Sequence, residues 1–250
     1  MATAHSPKKT RLYKKLDSAC RKALFDYKMI EDSRPIGVAL SGGKDSLTLL
    51  YLLHQISGAG FPKFPIHALH VSGAFSCGPG ITGPFLEDFC KQLNIPFHSV
   101  HTNQKLETLE CYSCSRKRRT LLFNLAKEHN IEKIAFGHHK DDSVQTLLMN
   151  VLHKGEFEPL SPKLTMRRYD CTILRPLILI EEALIDRFAE ASGFKRLTCL
   201  CPVGTKSMRQ KTKKLLTQIE ELYPHAKTNL AEAGLSYSKK LFGDYDITDP

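Results

Sequence analysis

The sequence predicts an α/β protein with a doubly wound, mostly parallel sheet of five strands and helices on both faces. Short apolar runs alternate with helical patterns along the chain, and a glycine-rich loop follows the first run. The runs are nearly continuous in hydrophobicity, as strands buried on both faces must be. Right-handed crossovers then place helices on both faces of the sheet. We predict strands over residues 36–40, 66–71, 97–101, 133–136 and 172–177.

Helices are predicted before and between these strands. Residues 7–30 form a basic amphipathic pattern. Residues 46–55 are apolar almost all round, which indicates a helix packed on both sides. A helix over residues 181–191 is predicted to end at Gly193. The Gly/Pro-rich residues 72–84 are predicted to form a mobile loop.

A further helix is predicted over residues 142–153, which carry a single apolar stripe. Asp141 or Asp142 is the expected N-cap, and Gly155 the expected stop. Basic helices are expected at both ends of the chain. We therefore divide it into an N-terminal basic helical extension, an α/β domain and a C-terminal helical tail, at residues 1–32, 33–203 and 204–250.

The chain carries an excess of positive charge. Its 36 Lys and Arg residues against 26 Asp and Glu give a net charge of +10, which favours binding to nucleic acid, with solubility as the alternative explanation. The N-terminal residues lack the apolar stretch of a secretory signal, and no window is apolar enough to span a membrane. We therefore expect a cytoplasmic protein without a membrane partner. Its eight cysteines should be thiols or metal ligands.

The loop SGGKDS, residues 41–46, comes directly after the first predicted strand and before a helix. This arrangement binds anions through backbone N–H groups and the helix dipole. Two well-known phosphate loops are excluded, because the Walker pattern would need Gly at Val38 and Ser or Thr at Asp45, and the dinucleotide fingerprint also fails. The expected phosphate ligands are Ser41, Gly42, Gly43, Lys44 and Ser46.

Asp45 is an acid beside the expected phosphates. It would be repelled by them unless a cation intervened, so we assign it to Mg²⁺, with helix capping as the alternative. A second motif, GHHKDD, follows the fourth strand. Its Gly137, His138, Asp141 and Asp142 are expected at the same site, although two acids at a helix N-terminus also serve as simple caps.

The segment CYSCSRKRR begins with Cys111 and Cys114 and opens a helix predicted to run to about His129. The helix dipole and the four cations that follow would favour the thiolate forms. Because cations at a helix N-terminus are unfavourable by themselves, a thiolate-bound metal or RNA phosphates should offset them. Cys199 and Cys201 offer a third thiolate. Zinc completed by a histidine and a [4Fe-4S] cluster with one free iron both remain open.

Six features in this order resemble the tRNA-cytidine 2-sulfurtransferase family of PP-loop ATP pyrophosphatases. They are SGGKDS, CxxC followed by SRKRR, GHHKDDSVQTLLMN, SPKL, RPL and a late cysteine pair. The resemblance implies a PP-loop/HUP-like fold with a CxxC insertion. It also adds Arg175 of RPL to the ATP site. A buried arginine would need an anionic partner, and a phosphate of ATP would serve.

The resemblance further implies a function. ATP would adenylate the C2 oxygen of a cytidine at tRNA position 32, and sulfur would then replace that oxygen. ATP, Mg²⁺ and a [4Fe-4S] cluster on Cys111, Cys114 and Cys201 would be the cofactors, with Cys199 as the fallback ligand. Asp45, Cys111 and Cys114 would be the catalytic residues. The expected partners are tRNA and a sulfur donor such as a cysteine desulfurase, and a homodimer is allowed.

Other functions share parts of this pattern. Lysidine synthetase has the same loop but no need of the cysteines, and a uridine thiolase differs only in the acceptor base. A basic RNA-binding protein braced by zinc would use the cysteines without catalysis.

Overall fold

The computed structural model describes residues 10–73, 82–102, 111–194 and 208–242. The strands are β1 Ile36–Ala39, β2 Ile66–Gly73, β3 Phe97–Thr102, β4 Lys133–Ala135, β5 Lys163–Met166 and β6 Cys171–Leu174. The helices are α1 Arg11–Asp26, α2 Lys44–Ile56, α3 Thr82–Gln92, α4 Cys111–Glu128, α5 Lys140–Lys154, α6 Glu182–Ala191, α7 Met208–Leu222 and α8 Ala226–Phe242.

The strands form one sheet in the order β3-β2-β1-β4-β6-β5. All neighbours are parallel except β5 and β6, which pair antiparallel. The order reverses between β1 and β4, and the carboxyl ends of such strands are where ligands bind in open α/β sheets. The doubly wound fold is confirmed. The predicted count of five strands is wrong by one, because β5 is a short edge strand whose residues are mostly half-buried.

Two apolar clusters cover the two faces of the sheet. The larger cluster joins α1, α2 and α6 and includes Leu24, Leu50 and Phe188. The smaller lies under α4 and includes Leu122 and Ile134. Helix α2 is buried along nearly its whole length, which confirms the prediction of a helix packed on both sides.

Several predicted boundaries shift in the structure. Helix α1 is shorter than the predicted 7–30, and β6 ends before the predicted 172–177 does. The prediction of a loop over residues 72–84 is wrong at both ends, since β2 includes Gly73 and α3 begins at Thr82. Pro84 does not prevent this helix because proline is tolerated in the first turn.

Helix α5 begins with a reciprocal cap. The N-cap is His139 rather than the predicted Asp141 or Asp142. The backbone N–H of Asp142 donates to His139 Nδ1 at 3.4 Å, and the backbone N–H of His139 donates to Asp142 Oδ2 at 3.1 Å. Gly155 ends the helix in the left-handed region, with φ of 71°, as predicted.

The two C-terminal helices pack against α5 through Val144, Leu216 and Ala231. They therefore lie against the helix that follows the GHHKDD motif. Within the described parts of the chain, no helix has the length and apolar character needed to cross a membrane.

Candidate nucleotide site

The loop between β1 and α2 is held by its own hydrogen bonds. Ser46 Oγ donates to the carbonyl of Gly43 at 2.9 Å and accepts from the backbone N–H of Ser41 at 3.2 Å. Ser41 Oγ accepts from the N–H of Gly43 at 3.2 Å. Gly42 takes φ of 87°, which favours glycine. The N-cap Gly43 offers no side chain to the first turn of α2, so that turn can bind an anion.

Gly137 packs directly on this loop. A Cβ at Gly137 would lie 3.0 Å from the carbonyl carbon of Asp45 and 3.1 Å from the nitrogen of Ser46. Both are backbone atoms and cannot rotate away. The turn after β4 therefore supports the loop after β1, and a glycine is needed at the contact.

Lys44 is surrounded by three carboxylates. Its Nζ lies 2.7 Å from Asp45 Oδ1, 3.2 Å from Glu182 Oε1 and 3.5 Å from Asp186 Oδ1, and only 11% of its side chain is exposed. Burial acts to lower the pKa of Lys44, but Asp45 and the other two acids more than offset it, and the pKa is raised. Asp45 pairs with Lys44 rather than capping α2.

The acids of GHHKDD are each paired with a base of the C-terminal helices. Asp141 Oδ2 accepts from the backbone N–H of Glu182 at 2.7 Å, and its Oδ1 lies 3.1 Å from Lys227 Nζ. Asp142 Oδ1 lies 2.6 Å from a guanidinium nitrogen of Arg209. Helices α7 and α8 therefore neutralise the carboxyl-end edge of the sheet.

Glu182 links the phosphate loop to α7. One carboxylate oxygen faces Lys44, and the other lies 2.7 Å from Lys213 Nζ. Burial acts to raise the pKa of Glu182, but the hydrogen bond from Lys213 and the charge of Lys44 outweigh it and lower the pKa to about 2. Glu182 is therefore ionised at neutral pH.

Arg175 is buried and hydrogen-bonded to His138. Its Nε donates to His138 Nδ1 at 3.3 Å, and Nη1 donates to the backbone carbonyl of Ser161. Burial and the charge of Arg119 lower the pKa of Arg175 to about 9, which leaves it cationic. Burial, then the charge of Arg175, holds the pKa of His138 well below its usual value. His138 is therefore neutral, accepts at Nδ1 and carries its proton on Nε2.

These motifs meet around one cavity of about 370 Å³. The residues of the two loops that line it are Ser41, Asp45, Ser46, Gly137, His138 and Asp142. Ser115, Arg118 and Arg119 of α4 form another part of its wall, and Leu69, Leu122 and Phe136 an apolar part. Arg118 also donates to the carbonyl of Val71 at 2.5 Å, which ties α4 to the end of β2.

Most of the predicted site residues are brought together here. Lys44 and Asp141 lie behind the cavity wall, joined through Glu182. The side chains of Cys111 and Cys114, and the whole of Cys199 and Cys201, lie outside the described residues. Among the side chains that are described, no group of three or more potential ligands is arranged to hold a metal.

Glu182 and Asp186 were not predicted from the sequence, and neither were the ion pairs of Arg209, Lys213 and Lys227. One feature of the sequence could have indicated that Glu182 lies at the site. It follows the fifth predicted strand, just as the phosphate loop follows the first. Within the predicted basic C-terminal helix, Arg209 and Lys213 contact carboxylates.

The fold and the site together define an ATP-binding α/β domain with a pyrophosphate-binding loop. Residues 9–197 match the family model of the PP-loop domain. Curated relatives include the tRNA-cytidine(32) 2-sulfurtransferases of Syntrophotalea carbinolica, 34% identical over 89% of each chain, and Coxiella burnetii, 34% identical over 95% of each chain. The chain belongs to this tRNA-cytidine(32) 2-sulfurtransferase family of PP-loop proteins.

A solved structure supports the fold. The U34-tRNA thiolase NcsA from Methanococcus maripaludis with its [4Fe-4S] cluster superposes with a TM-score of 0.72, at 21% identity. The match covers 94% of this chain and 88% of that one.

Proposed function

We propose that this protein is an ATP-dependent tRNA thiolase that adenylates the C2 oxygen of a cytidine at position 32 and replaces that oxygen with sulfur. One observation carries the proposal. The cavity beside the SGGKDS loop is also lined by Ser115, the residue directly after Cys114. The nucleotide loop and the part of α4 whose side chains are described, which starts at Ser115, thus face one space.

The residues around this cavity fit ATP. The backbone of Gly42 and Gly43, the hydroxyls of Ser41 and Ser46 and the first turn of α2 suit the outer phosphates. The apolar wall of Leu69, Leu122 and Phe136 suits a nucleobase.

Lys44 and Asp45 are assigned to balancing the charges of the bound triphosphate and its Mg²⁺. In the structure, Lys44 is held by carboxylates. A triphosphate with Mg²⁺ offers Lys44 an alternative anion and offers Asp45 an alternative cation. Asp45 would then hold Mg²⁺, and Lys44 would turn to the phosphates.

The roles of the GHHKDD residues and of Arg175 follow from the contacts that these side chains make. His138 and Gly137 border the nucleotide, and Arg175 fixes the ring of His138 through Nδ1. Asp141 and Asp142 hold the C-terminal helices in place through their ion pairs.

The reaction has two balanced steps. The C2 oxygen of cytosine attacks the α-phosphorus, the bond to the β-phosphate oxygen breaks, and pyrophosphate leaves into the loop. Sulfide then adds to C2, and the C–O bond breaks to release AMP and leave a carbon–sulfur double bond. A persulfide donor would first be reduced to sulfide by two electrons from an external thiol. The loop N–H groups and Lys44 stabilise the departing charge, which is where such donors accelerate reactions most.

Three thiolates suit a [4Fe-4S] cluster, because one of its four irons keeps an open position. Cys111, Cys114 and Cys201 are the proposed ligands, with Cys199 as the alternative and zinc as the alternative metal. When bound, the cluster supplies an iron that can carry sulfur. A cysteine desulfurase is the proposed sulfur donor.

The positive surface suits tRNA. Lys117 near the start of α4 and Lys211 and Lys214 on α7 are exposed. Contacts of this kind go to phosphates and position an RNA without reading its sequence. An anticodon loop suits the reaction because its bases are easily unstacked.

The test is anaerobic purification followed by a visible absorption spectrum and a tRNA-dependent assay of AMP release. We expect a brown protein that thiolates transcripts with cytidine at position 32 and ignores those with uridine there. Asp45→Ala should suppress AMP formation. A colourless zinc protein without tRNA-dependent AMP release would contradict the proposal and favour the braced RNA-binding protein.

A further inference from the structure

A second cavity, of about 530 Å³, adjoins the nucleotide cavity across one hydrogen-bonded pair. His138 lines the nucleotide cavity, Arg175 lines the second cavity, and the two side chains are 3.3 Å apart. The volume lies within the range of small-molecule pockets. Nothing in the reaction derived so far uses this space.

The inner wall of the second cavity carries polar groups whose hydrogen-bonding capacity is not filled by the described residues. Arg175 is 6% exposed and finds two acceptors among the described residues, His138 and the Ser161 carbonyl, but no carboxylate. A guanidinium has five N–H donors, so several are left for a ligand. Thr146 Oγ1, also on this wall, is buried without a hydrogen-bond partner among the described residues. Such orphaned groups are rare in native proteins and call for an explanation.

The outer rim of the second cavity is aromatic. Phe157 and Tyr237 meet edge to face, with ring centroids 4.9 Å apart. They are 40% and 36% exposed, although both are large and apolar. Exposed aromatic side chains beside a polar recess are where unstacked bases bind in proteins that recognise single-stranded RNA.

Asn150 adds an oriented acceptor. Its Nδ2 donates to the backbone carbonyl of Glu158 at 2.7 Å, which fixes the side-chain amide. No described donor contacts its Oδ1. The second cavity therefore offers donors at Arg175 and an acceptor at Asn150. The hydroxyl of Thr146 on its inner wall is shut off from the cavity in the free protein and gains a partner by turning towards a bound base.

We propose that the second cavity receives the acceptor cytosine of the tRNA, turned out of the anticodon loop. The inference rests on the proposed function. Cytosine presents acceptors at O2 and N3 and a donor at its exocyclic amine, which match Arg175 and Asn150. With the O2 edge at Arg175, the nucleophilic oxygen lies at the boundary with the nucleotide cavity. Uracil carries an acceptor in place of the amine and loses the contact with Asn150.

The test uses an anaerobically purified full-length protein and a synthetic anticodon stem-loop. The probe carries pyrrolocytosine, a fluorescent cytosine analogue, at position 32, and unstacking of this base raises its fluorescence. Two variants are measured, Phe157→Ala at the exposed rim and Thr146→Val at the inner wall.

Phe157→Ala should weaken binding of the hairpin by roughly 5- to 100-fold, the usual worth of one stacked base. It should also abolish the fluorescence rise. Thr146→Val should weaken binding by about 2- to 10-fold, the worth of one hydrogen bond. Because the valine removes an orphaned hydroxyl, the Tm of the free protein should stay the same or rise.

The matched control is Thr48→Val. Thr48 Oγ1 is likewise buried without a described partner, but it lies on α2 and borders neither cavity. This variant should change the Tm as Thr146→Val does and leave hairpin binding unchanged.

The outcomes separate the two proposals. If the wild type thiolates tRNA but Phe157→Ala and Thr146→Val bind the hairpin as tightly, with the same fluorescence rise, the second cavity is not the base site. If the wild type neither thiolates tRNA nor releases AMP with it, the proposed function itself fails, and this inference fails with it.

Discussion

Gly137→Ala tests whether the turn after β4 sets the position of the phosphate loop. The new Cβ would lie 3.0 Å from the carbonyl carbon of Asp45 and 3.1 Å from its oxygen and from the nitrogen of Ser46. At such distances the neighbouring atoms must give by a few tenths of an ångström. All three are backbone atoms of the loop, so the loop itself must move.

The magnitude follows from that shift. A misplacement of about 1 Å can reduce catalysis about 100-fold, so a few tenths of an ångström should lower kcat/KM for AMP formation by about 10-fold. The free energy of unfolding should fall by about 1–3 kcal/mol, the usual cost of overpacking.

The assay is steady-state AMP release with tRNA, combined with ATP affinity and urea denaturation. Gly83→Ala on α3 is the matched control, since none of the described atoms lies within 4 Å of a Cβ added there. That variant should keep full activity. Wild-type kcat/KM in a folded Gly137→Ala protein would refute the idea that this contact positions the loop.

Three further predictions follow from the charges and the cysteines. The pKa of Glu182 is lowered from 4.5 to about 2. This shift corresponds to at most about 3 kcal/mol of stability. That stability is present above pH 4.5 and is lost as the pH falls towards 2. Urea denaturation should therefore show Glu182→Gln less stable than the wild type at neutral pH and equal to it near pH 2; a constant difference would contradict the ion pairs. Cys111→Ala or Cys114→Ala should abolish thiolation but not ATP binding, and comparable thiolation would remove the cluster from the mechanism. Lys117→Gln and Lys214→Gln should each reduce the slope of log binding constant against log salt for tRNA by about 1, and an unchanged slope would place the RNA elsewhere.

The parts of the fold that could be predicted are those with a strong local pattern. Strands β1, β2, β4 and β6 are largely buried and mostly apolar, whereas β3 lies at an edge and is mostly half-buried or exposed. Gly155 could be predicted as the end of α5 because glycine adopts the left-handed backbone readily. Strand β5 had no such pattern, because its four residues sit at an edge and are mostly half-buried. The start of helix α3 was not predicted, because the glycines and prolines around it are typical of a loop. The cap of α5 was misassigned because histidine is not among the preferred N-cap residues.

The same division applies to the site. The residues of SGGKDS and GHHKDD could be placed together because both segments follow parallel strands, whose carboxyl ends share one edge. The ion pairs could not be predicted. Lys213 and Lys227 come from helices far along the chain, and their choice of Glu182 and Asp141 depends on how α7 and α8 pack on α5. The unpartnered hydroxyl of Thr146 likewise depends on tertiary structure alone.

The family match ends at residue 197, whereas the bases that neutralise Asp141, Asp142 and Glu182 lie on the helices beyond it. A chain cut at that point would keep the SGGKDS and GHHKDD motifs and would lose Cys199 and Cys201. Asp141, Asp142 and Glu182 would then face an incoming triphosphate without the cations of Arg209, Lys213 and Lys227. The C-terminal helices thus complete the charge balance beside the glycine loop, although no sequence signature marks them.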